Sequence, residues 1–222
     1  MNIFDFLSRN YTETEELANK AISLFYKGFD GDEVYHPLYL AWRSIQNDST
    51  QLNRIYDYAT FGFALSVFLN YGTVHDIDDK QQIASIAYLC LSLAIEKEPD
   101  IVNLYRNRIM LLLTQSEALH WTIDSVINKD VSVYNPMSFF HTFDAKDALL
   151  KMLYSDLSID TSLMQNSILA SKKHELDIKI TTGSLGRDQT QESIIAKGKQ
   201  HHHEICEYLK NKILIEQDID FS

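Results

Sequence analysis

Proline and glycine are scarce in this chain, which has only 3 prolines and 7 glycines in 222 residues. All-β sandwiches and barrels need frequent tight turns, and these two residues supply most of them. Their scarcity therefore disfavours an all-β fold and favours long helices with short connections. Hydrophobic residues make up 45% of the sequence and charged residues 23%, which is enough apolar material for a core and is atypical of disordered chains.

Cysteine and long apolar runs are also scarce. Two cysteines, Cys90 and Cys206, do not make a disulfide framework in a chain of this length, which favours a reducing compartment. The first residues lack the basic region and apolar stretch of a secretory signal. The most apolar run, from Phe61 to Leu69, is far shorter than the roughly 20 residues that span a bilayer. We therefore predict a cytoplasmic protein with no membrane partner.

Positive charge is under-represented over most of the sequence. The formal net charge is -11, and residues 1–170 hold 12 Lys and Arg against 22 Asp and Glu, a balance of -10. Residues 171–212 hold 8 against 6, a balance of +2. A strongly acidic body repels phosphate backbones, so this composition disfavours nucleic acid as a partner of the main domain.

Helix-start signals recur along the chain. Residues 12–15, Thr-Glu-Thr-Glu, have capping-box spacing and open a helix that Gly28 would end. Pro37 suits the first turn of a second helix, and residues 48–51 would open a third that reaches about Asn70. Further helices are predicted from about Asp79, from Pro99 through Leu113, from about Glu117 to Asn128, from Asp144, from about Thr161 to Ser171, and from Gln191 through about Ile215.

One segment departs from the helical pattern. Residues 174–183 alternate apolar and polar side chains, which predicts one short strand near 175–182. We accordingly divide the chain into a helical domain with a repeat-like core, 1–170, and a C-terminal strand, turn and long helix, 171–222. The second segment either packs on the first or mediates homo-oligomer formation, because a lone strand needs a partner.

Residues 83–113 contain a repeat-like pattern. Ala87, Leu91, Ala94 and Pro99 stand at spacings that resemble the second helix of a tetratricopeptide repeat, and Tyr105 with the following Asn107 and Arg108 is similar to the start of the next repeat. The similarity covers residues of about 71–135. It implies an all-α fold, an antiparallel helical array. An irregular α–α bundle is the alternative, because consecutive amphipathic helices pack in this way in either case.

The resemblance also implies a binding face. In such a repeat the first helix lines a concave groove, which here would present Asn103, Arg106, Asn107 and Met110 to a protein or peptide partner. These side chains could hydrogen-bond an extended peptide or receive an acidic terminus.

The most conspicuous polar cluster is residues 201–206, His-His-His-Glu-Ile-Cys. His202 and Cys206 are four residues apart on one helix face, a spacing that could supply two ligands to zinc. A zinc site needs further ligands from elsewhere, and no C-x2-C or H-E-x-x-H motif supplies them. The alternative interpretation is a packed histidine with two solvated neighbours.

Other candidate motifs are weaker. Glu33 with His36 and Glu117 with His120 have the spacing of di-iron carboxylate proteins, but His36 precedes a proline, a position biased away from helical geometry. The acidic residues 76–79 lack the glycine and glutamate of a calcium loop. Nucleophile-elbow and phosphate-loop motifs are absent from the sequence. No catalytic residue and no cofactor are therefore predicted.

These observations favour a protein–protein interaction module or adaptor over an enzyme. An acidic helical protein could act as an inhibitor or immunity-type binder of a basic partner, because opposite potentials accelerate association. The alternative is a metal-dependent enzyme or metal-binding protein that uses the cluster from His201 to Cys206.

Overall fold

The computed structural model describes residues 11–47, 55–72, 74, 77–128, 138–159, 164–186 and 189–216. These residues form nine α-helices and contain no strand. The helices are α1 (Glu13–Tyr26), α2 (Asp32–Asn47), α3 (Ile55–Tyr71), α4 (Ile77–Lys97), α5 (Val102–Thr114), α6 (Ser116–Asn128), α7 (Ser138–Leu157), α8 (Ser167–Thr181) and α9 (Gln191–Glu216). The predicted all-α class is confirmed.

The first helix has the ends that its sequence predicts. The Thr12 side chain accepts from the backbone N–H of Glu15 at 3.2 Å, and Oε2 of Glu15 accepts from the backbone N–H of Thr12 at 3.0 Å. These bonds complete the capping box. Gly28 follows the helix with a φ of +83°, a left-handed conformation that favours glycine.

Helices contact their neighbours in chain order and also the next helix but one. Helix α1 packs against α2 and α3, α4 against α3, α5 and α6, and α7 against α5 and α6. From α1 to α7, contacts of this kind join neighbouring helices into an array. The arrangement is compatible with a helical repeat.

The apolar half of α3 lies at the centre of the N-terminal part of the array. Phe61, Leu65 and Phe68 are each 0–1% exposed. The Phe61 ring stacks on the Trp42 ring of α2 with centroids 5.9 Å apart. Residues 61–69 are therefore surrounded by other helices, because a helix that is apolar on every face needs neighbours on every side.

The C-terminal helices pack back on the array. Helix α9 contacts α4, α6 and α7, and α8 contacts α7. The division of the chain near residue 170 stays a prediction. Among the described residues, no helix combines the length and hydrophobicity needed to cross a membrane.

The predicted strand near 175–182 is wrong, because residues 175–181 belong to α8 and Thr182 is its C-cap. The Asn166 side chain caps this helix, accepting from the backbone N–H of Ile168 at 3.0 Å. Ion pairs four residues apart, Lys173–Asp177 at 2.5 Å and Glu175–Lys179 at 2.9 Å, follow the helical spacing. The alternation was misleading because its apolar side chains do not lie on one buried face. Leu176 is buried, whereas Ile178 is 49% exposed.

Several predicted helix starts also need correction. Pro37 lies in the interior of α2, which begins at Asp32, and not in a first turn. Helix α7 begins at Ser138, so Asp144 is an internal residue and not its cap. Helix α8 begins at Ser167 and runs beyond the predicted end at Ser171. The predicted start of the third helix at residues 48–51 lies outside the described residues.

Gly198 marks the closest approach between α9 and α7. A Cβ atom built on Gly198 would lie 2.4 Å from the carbonyl oxygen of Lys151 and 2.7 Å from Cβ of Ser155. Contacts this short to backbone cannot be relieved by a side-chain rotation. Glycine at this position therefore sets the distance between the two helices.

We expect Gly198→Ala to destabilise the protein. In an exposed helix interior, alanine is more favourable than glycine by about 1 kcal/mol. Here the added methyl would push α9 from α7, and overpacking of this kind costs typically about 1–3 kcal/mol. Urea unfolding measures the change in the free energy of unfolding. A variant more stable than wild type would contradict the close approach of the two helices. Ala196→Gly, at an exposed position of the same helix, is the control for propensity alone.

Glu175 provides a test of the ion pairs on α8. Its hydrogen bonds to Lys172 and Lys179 lower the pKa of its carboxyl to about 2. Because the folded pKa is below the unfolded one, the stabilisation is complete above the ordinary glutamate pKa and is lost as the pH falls toward 2. Exposed pairs contribute only about 0.2–1 kcal/mol each. NMR titration of the Glu175 carboxyl should show the low midpoint, and an ordinary midpoint would exclude these pairs in solution.

Candidate functional site

A buried ion pair joins α5 to α7. Nε of Arg108 donates to Oδ2 of Asp156 at 2.8 Å, and Nη2 of Arg108 donates to Oδ1 at 2.6 Å. The Arg108 and Asp156 side chains are 4% and 3% exposed. Two parallel hydrogen bonds of this kind are the strongest arrangement that a guanidinium and a carboxylate can make.

The remaining nitrogen of Arg108 reaches two further helices. Nη1 donates to Oγ of Ser92 on α4 at 3.0 Å and to Nδ1 of His202 on α9 at 2.6 Å. A guanidinium has no acceptor, so Nδ1 must accept this hydrogen bond. The His202 ring is therefore neutral in this arrangement and has its proton on Nε2.

The surroundings of Arg108 keep it charged. Burial alone would lower the pKa of its guanidinium, but the charge and the hydrogen bonds of Asp156 outweigh burial and raise that pKa. The rings of Tyr88 and Tyr105 lie 5.6 and 6.0 Å from the guanidinium carbon. Burial raises the pKa of the Tyr88 hydroxyl, which donates to Sδ of Met152 at 3.3 Å and stays neutral.

The two metal ligands predicted from the sequence lie at the edge of this cluster, together with a third candidate. Sγ of Cys206 is 3.7 Å from Nδ1 of His202 and 3.8 Å from Nε2. Glu96, at the end of α4, brings a carboxylate oxygen to the same place, so that the ligand atoms of the three residues lie within 4.8 Å of one another. Cys206 is buried, His202 is half-buried and Glu96 is exposed.

A small open cleft lies beside Arg108. Its volume is about 90 Å³, enough for several water molecules or a small polar group. The polar residues that line it include Arg108, Lys199 and His202. Thus one side of His202 faces Cys206 and another faces space that solvent can reach.

The side chains predicted to line a groove lie along one exposed side of α5. Asn103 is exposed, Met110 is 42% exposed, and Arg106 and Asn107 are half-buried. Nη1 of Arg106 lies 3.5 Å from Oδ1 of Asn103. None of the four lines the cleft beside Arg108. Their role in binding a partner stays a prediction.

The Glu-x-x-His motifs do not form a di-iron site, although the reason differs from the one that the sequence suggests. Pro37 is tolerated inside α2, so Glu33 and His36 do share one helix. Both side chains are exposed, however, and do not face the bundle interior as that type of site requires. The ring of His120 in the second motif is tilted against that of Trp121, with centroids 4.7 Å apart.

The sequence interpretation missed the central role of Arg108, Asp156 and Glu96. Arg108 was noted only as part of a repeat motif. A signal was present for the first two. Arg108 shares the apolar face of its helix with Leu104, Leu111 and Leu112, and Asp156 lies in the buried run from Met152 to Leu157. Charged residues at such positions are almost always paired. No comparable signal distinguishes Glu96, which is exposed at the end of a helix.

We expect loss of one partner of the buried pair to destabilise the fold strongly. Asp156→Asn leaves the Arg108 charge buried without its counter-ion, and breaking a buried pair in this way costs about 3–5 kcal/mol. Urea unfolding would measure the loss. Glu175→Gln, which removes a pair of exposed bridges, is the control and should cost less than about 1 kcal/mol.

Replacement of both partners tests whether the loss comes from the unpaired charge. Arg108→Met with Asp156→Leu removes both charges and should be less destabilised than Asp156→Asn alone. If the loss in free energy of unfolding of the double variant equalled the sum of the losses for Arg108→Met and Asp156→Leu, the two side chains would not interact. The assignment of a buried pair would then fail.

The cluster thus combines a fixed guanidinium, a neutral imidazole, a thiol and a carboxylate around a site open to solvent. Such groups can hold a cation or orient a small polar ligand. Comparison with protein-family models, with curated proteins and with solved structures finds no match to this chain.

Proposed function

We propose that the chain is a protein-interaction module, a tetratricopeptide-like helical array that binds a basic protein partner through an aromatic and acidic surface. We define this surface by the aromatic residues Tyr26, Phe29 and Tyr71 and the acidic residues Asp30, Asp32 and Asp79. The observation that carries the proposal is the coincidence of exposed rings and negative charge at one end of α1, α2 and α3.

The rings of this surface are exposed to an extent unusual for aromatic residues. Tyr26 and Tyr71 are each 72% exposed and Phe29 is 42% exposed. The Tyr71 ring lies 6.0 Å from the ring of Phe25, which places the end of α3 beside the end of α1. Aromatic side chains are enriched in the centres of interfaces because they offer large area at low entropic cost.

Acidic side chains lie at the same end of the array. Burial raises the pKa of Tyr35, and so do the negative charges of Asp30, Asp79 and Asp32. The Tyr35 ring packs edge-on against Phe68 on α3, with centroids 4.7 Å apart. The three carboxylates therefore converge near one ring, close to the exposed aromatics. A negative potential at this place favours and accelerates association with a positively charged partner.

The predicted binding face of α5, which includes Met110, extends toward the aromatic and acidic surface. Met110 is exposed one turn before the end of α5, and the following Gln115 donates through Nε2 to Oδ1 of Asn70 at 3.2 Å. Asn70 directly precedes Tyr71 in α3. An extended peptide along Asn103, Arg106, Asn107 and Met110 would therefore reach the aromatic side chains at its end.

The experiment is a binding measurement with a partner identified by cross-linking in native extract. Tyr26→Ser combined with Tyr71→Ser should weaken binding by about 30-fold or more, because a total loss of about 2 kcal/mol from two central aromatic residues corresponds to that factor. Affinity should also fall as the ionic strength rises. Isothermal titration calorimetry with purified proteins gives both quantities.

The control is Ile168→Ser, which removes an apolar side chain that is 64% exposed on α8. It should leave the affinity unchanged. Met110→Ser separately tests the face of α5. An acidic partner, or a basic partner that binds the double tyrosine variant as tightly as wild type, would contradict the proposal.

A further inference from the structure

We propose that Glu96, His202 and Cys206 form a binding site for a soft divalent metal ion of the zinc type. The site is independent of the interaction surface described above. It would join the end of α4 to α9.

The distances between the ligand atoms suit tetrahedral zinc. At a Zn–S distance of about 2.3 Å and a Zn–N distance of about 2.05 Å, a tetrahedral angle separates the two ligand atoms by about 3.6 Å. Sγ of Cys206 lies 3.7 and 3.8 Å from the two ring nitrogens of His202. The separation therefore suits a shared ion. The near-equal distances place Sγ beside the edge or face of the ring between the two nitrogens, so the imidazole must rotate to turn one lone pair toward the ion.

Glu96 adds a carboxylate as the third ligand, beside the thiolate of Cys206 and the imidazole of His202. The ligand atoms of all three residues lie within 4.8 Å of one another, so closure onto an ion shortens these separations by no more than roughly 1.5 Å. Glu96 is exposed and lies at the end of its helix. Thiolate, imidazole and carboxylate are all ligands of zinc, and three protein ligands leave a fourth position open to water.

The charges of such a site would balance. A Cys206 thiolate and the Glu96 carboxylate together neutralise a divalent ion, and the neutral His202 adds no charge. The nearby guanidinium of Arg108 is already neutralised by Asp156, whose two oxygens accept from it at 2.6 and 2.8 Å. The half-buried ion would therefore not be opposed by an uncompensated cation.

Metal binding would exchange one partner of His202 for another. Nδ1 of His202 accepts from Nη1 of Arg108 at 2.6 Å. Coordination through Nδ1 uses that lone pair, and coordination through Nε2 moves the remaining proton to Nδ1, so either mode ends this hydrogen bond. Arg108 keeps its three hydrogen bonds to Asp156 and Ser92. The exchange therefore leaves the buried ion pair intact.

Titration of the full-length protein with Zn²⁺ and Co²⁺ tests the site. We expect one ion per chain, a cobalt–thiolate charge-transfer band that Cys206→Ser abolishes, and a rise in the unfolding temperature with zinc concentration. Glu96→Gln, an exposed and nearly isosteric change, should weaken zinc binding by more than about tenfold, the lower range for loss of an outer-shell partner.

His203→Ala is the matched control, because His203 is an exposed neighbour on the same helix. It should bind zinc as wild type does. Absence of stoichiometric zinc, or equal affinity in wild type and Glu96→Gln, would overturn the proposal. A loss of affinity confined to His203→Ala would assign the metal to the surface histidines and would also overturn it.

Discussion

The buried Arg108 is the constraint that ties the second half of the array together. A guanidinium that is almost fully removed from water must have each of its donors satisfied, or the fold loses several kcal/mol. Its partners come from three other helices, Asp156 from α7, Ser92 from α4 and His202 from α9. Four helices must therefore be in register at one point. Apolar packing is tolerant of small shifts, whereas this hydrogen-bonded cluster is not.

The register of α9 depends on a second feature, the close approach at Gly198. Gly198, His202 and Cys206 follow each other at intervals of four residues, so they share one face of the helix. Gly198 packs against the backbone of Lys151 and against Ser155 on α7. One turn later, His202 meets Arg108, whose other partner Asp156 directly follows Ser155. The glycine therefore fixes the height at which the imidazole reaches the ion pair, and one further turn brings Cys206 to the same edge.

Much of the fold could be predicted because the signals were local. The capping box at Thr12, the glycine at position 28 and the apolar run from Phe61 to Leu69 each depend on neighbouring residues, and each prediction is confirmed. The strand was wrong because Ile178 faces solvent, and alternation over a few residues cannot distinguish an exposed from a buried apolar side chain. Pro37 was misplaced because proline is only favoured in a first turn, and α2 continues through it although its nitrogen cannot donate a backbone hydrogen bond.

The site was less predictable because its members are distant in sequence. The pairing of His202 with Cys206 follows from helical spacing alone and was visible. Arg108 and Asp156 are 48 positions apart, and the sequence shows only that each is a charge among buried residues. Glu96 has no local signal at all, because its relation to His202 exists only once α9 lies against α4. Predicting such contacts requires the tertiary arrangement that they themselves help to specify.

His202 has two roles, as a hydrogen-bond acceptor for Arg108 in the fold and as a ligand in the proposed site. To satisfy Arg108, any acceptor of the right length would serve, including the amide oxygen of glutamine or asparagine. The imidazole does more, because its second nitrogen and the adjacent Cys206 thiol and Glu96 carboxylate make a set of ligands that an amide would not complete. Asp156 takes two nitrogens of Arg108 and Ser92 takes one N–H of the third, and the N–H that His202 releases borders the open cleft, where water can accept it. The fold can therefore release His202 at small cost, and a residue that can be released from the core while its backbone stays fixed is well suited to bind a ligand.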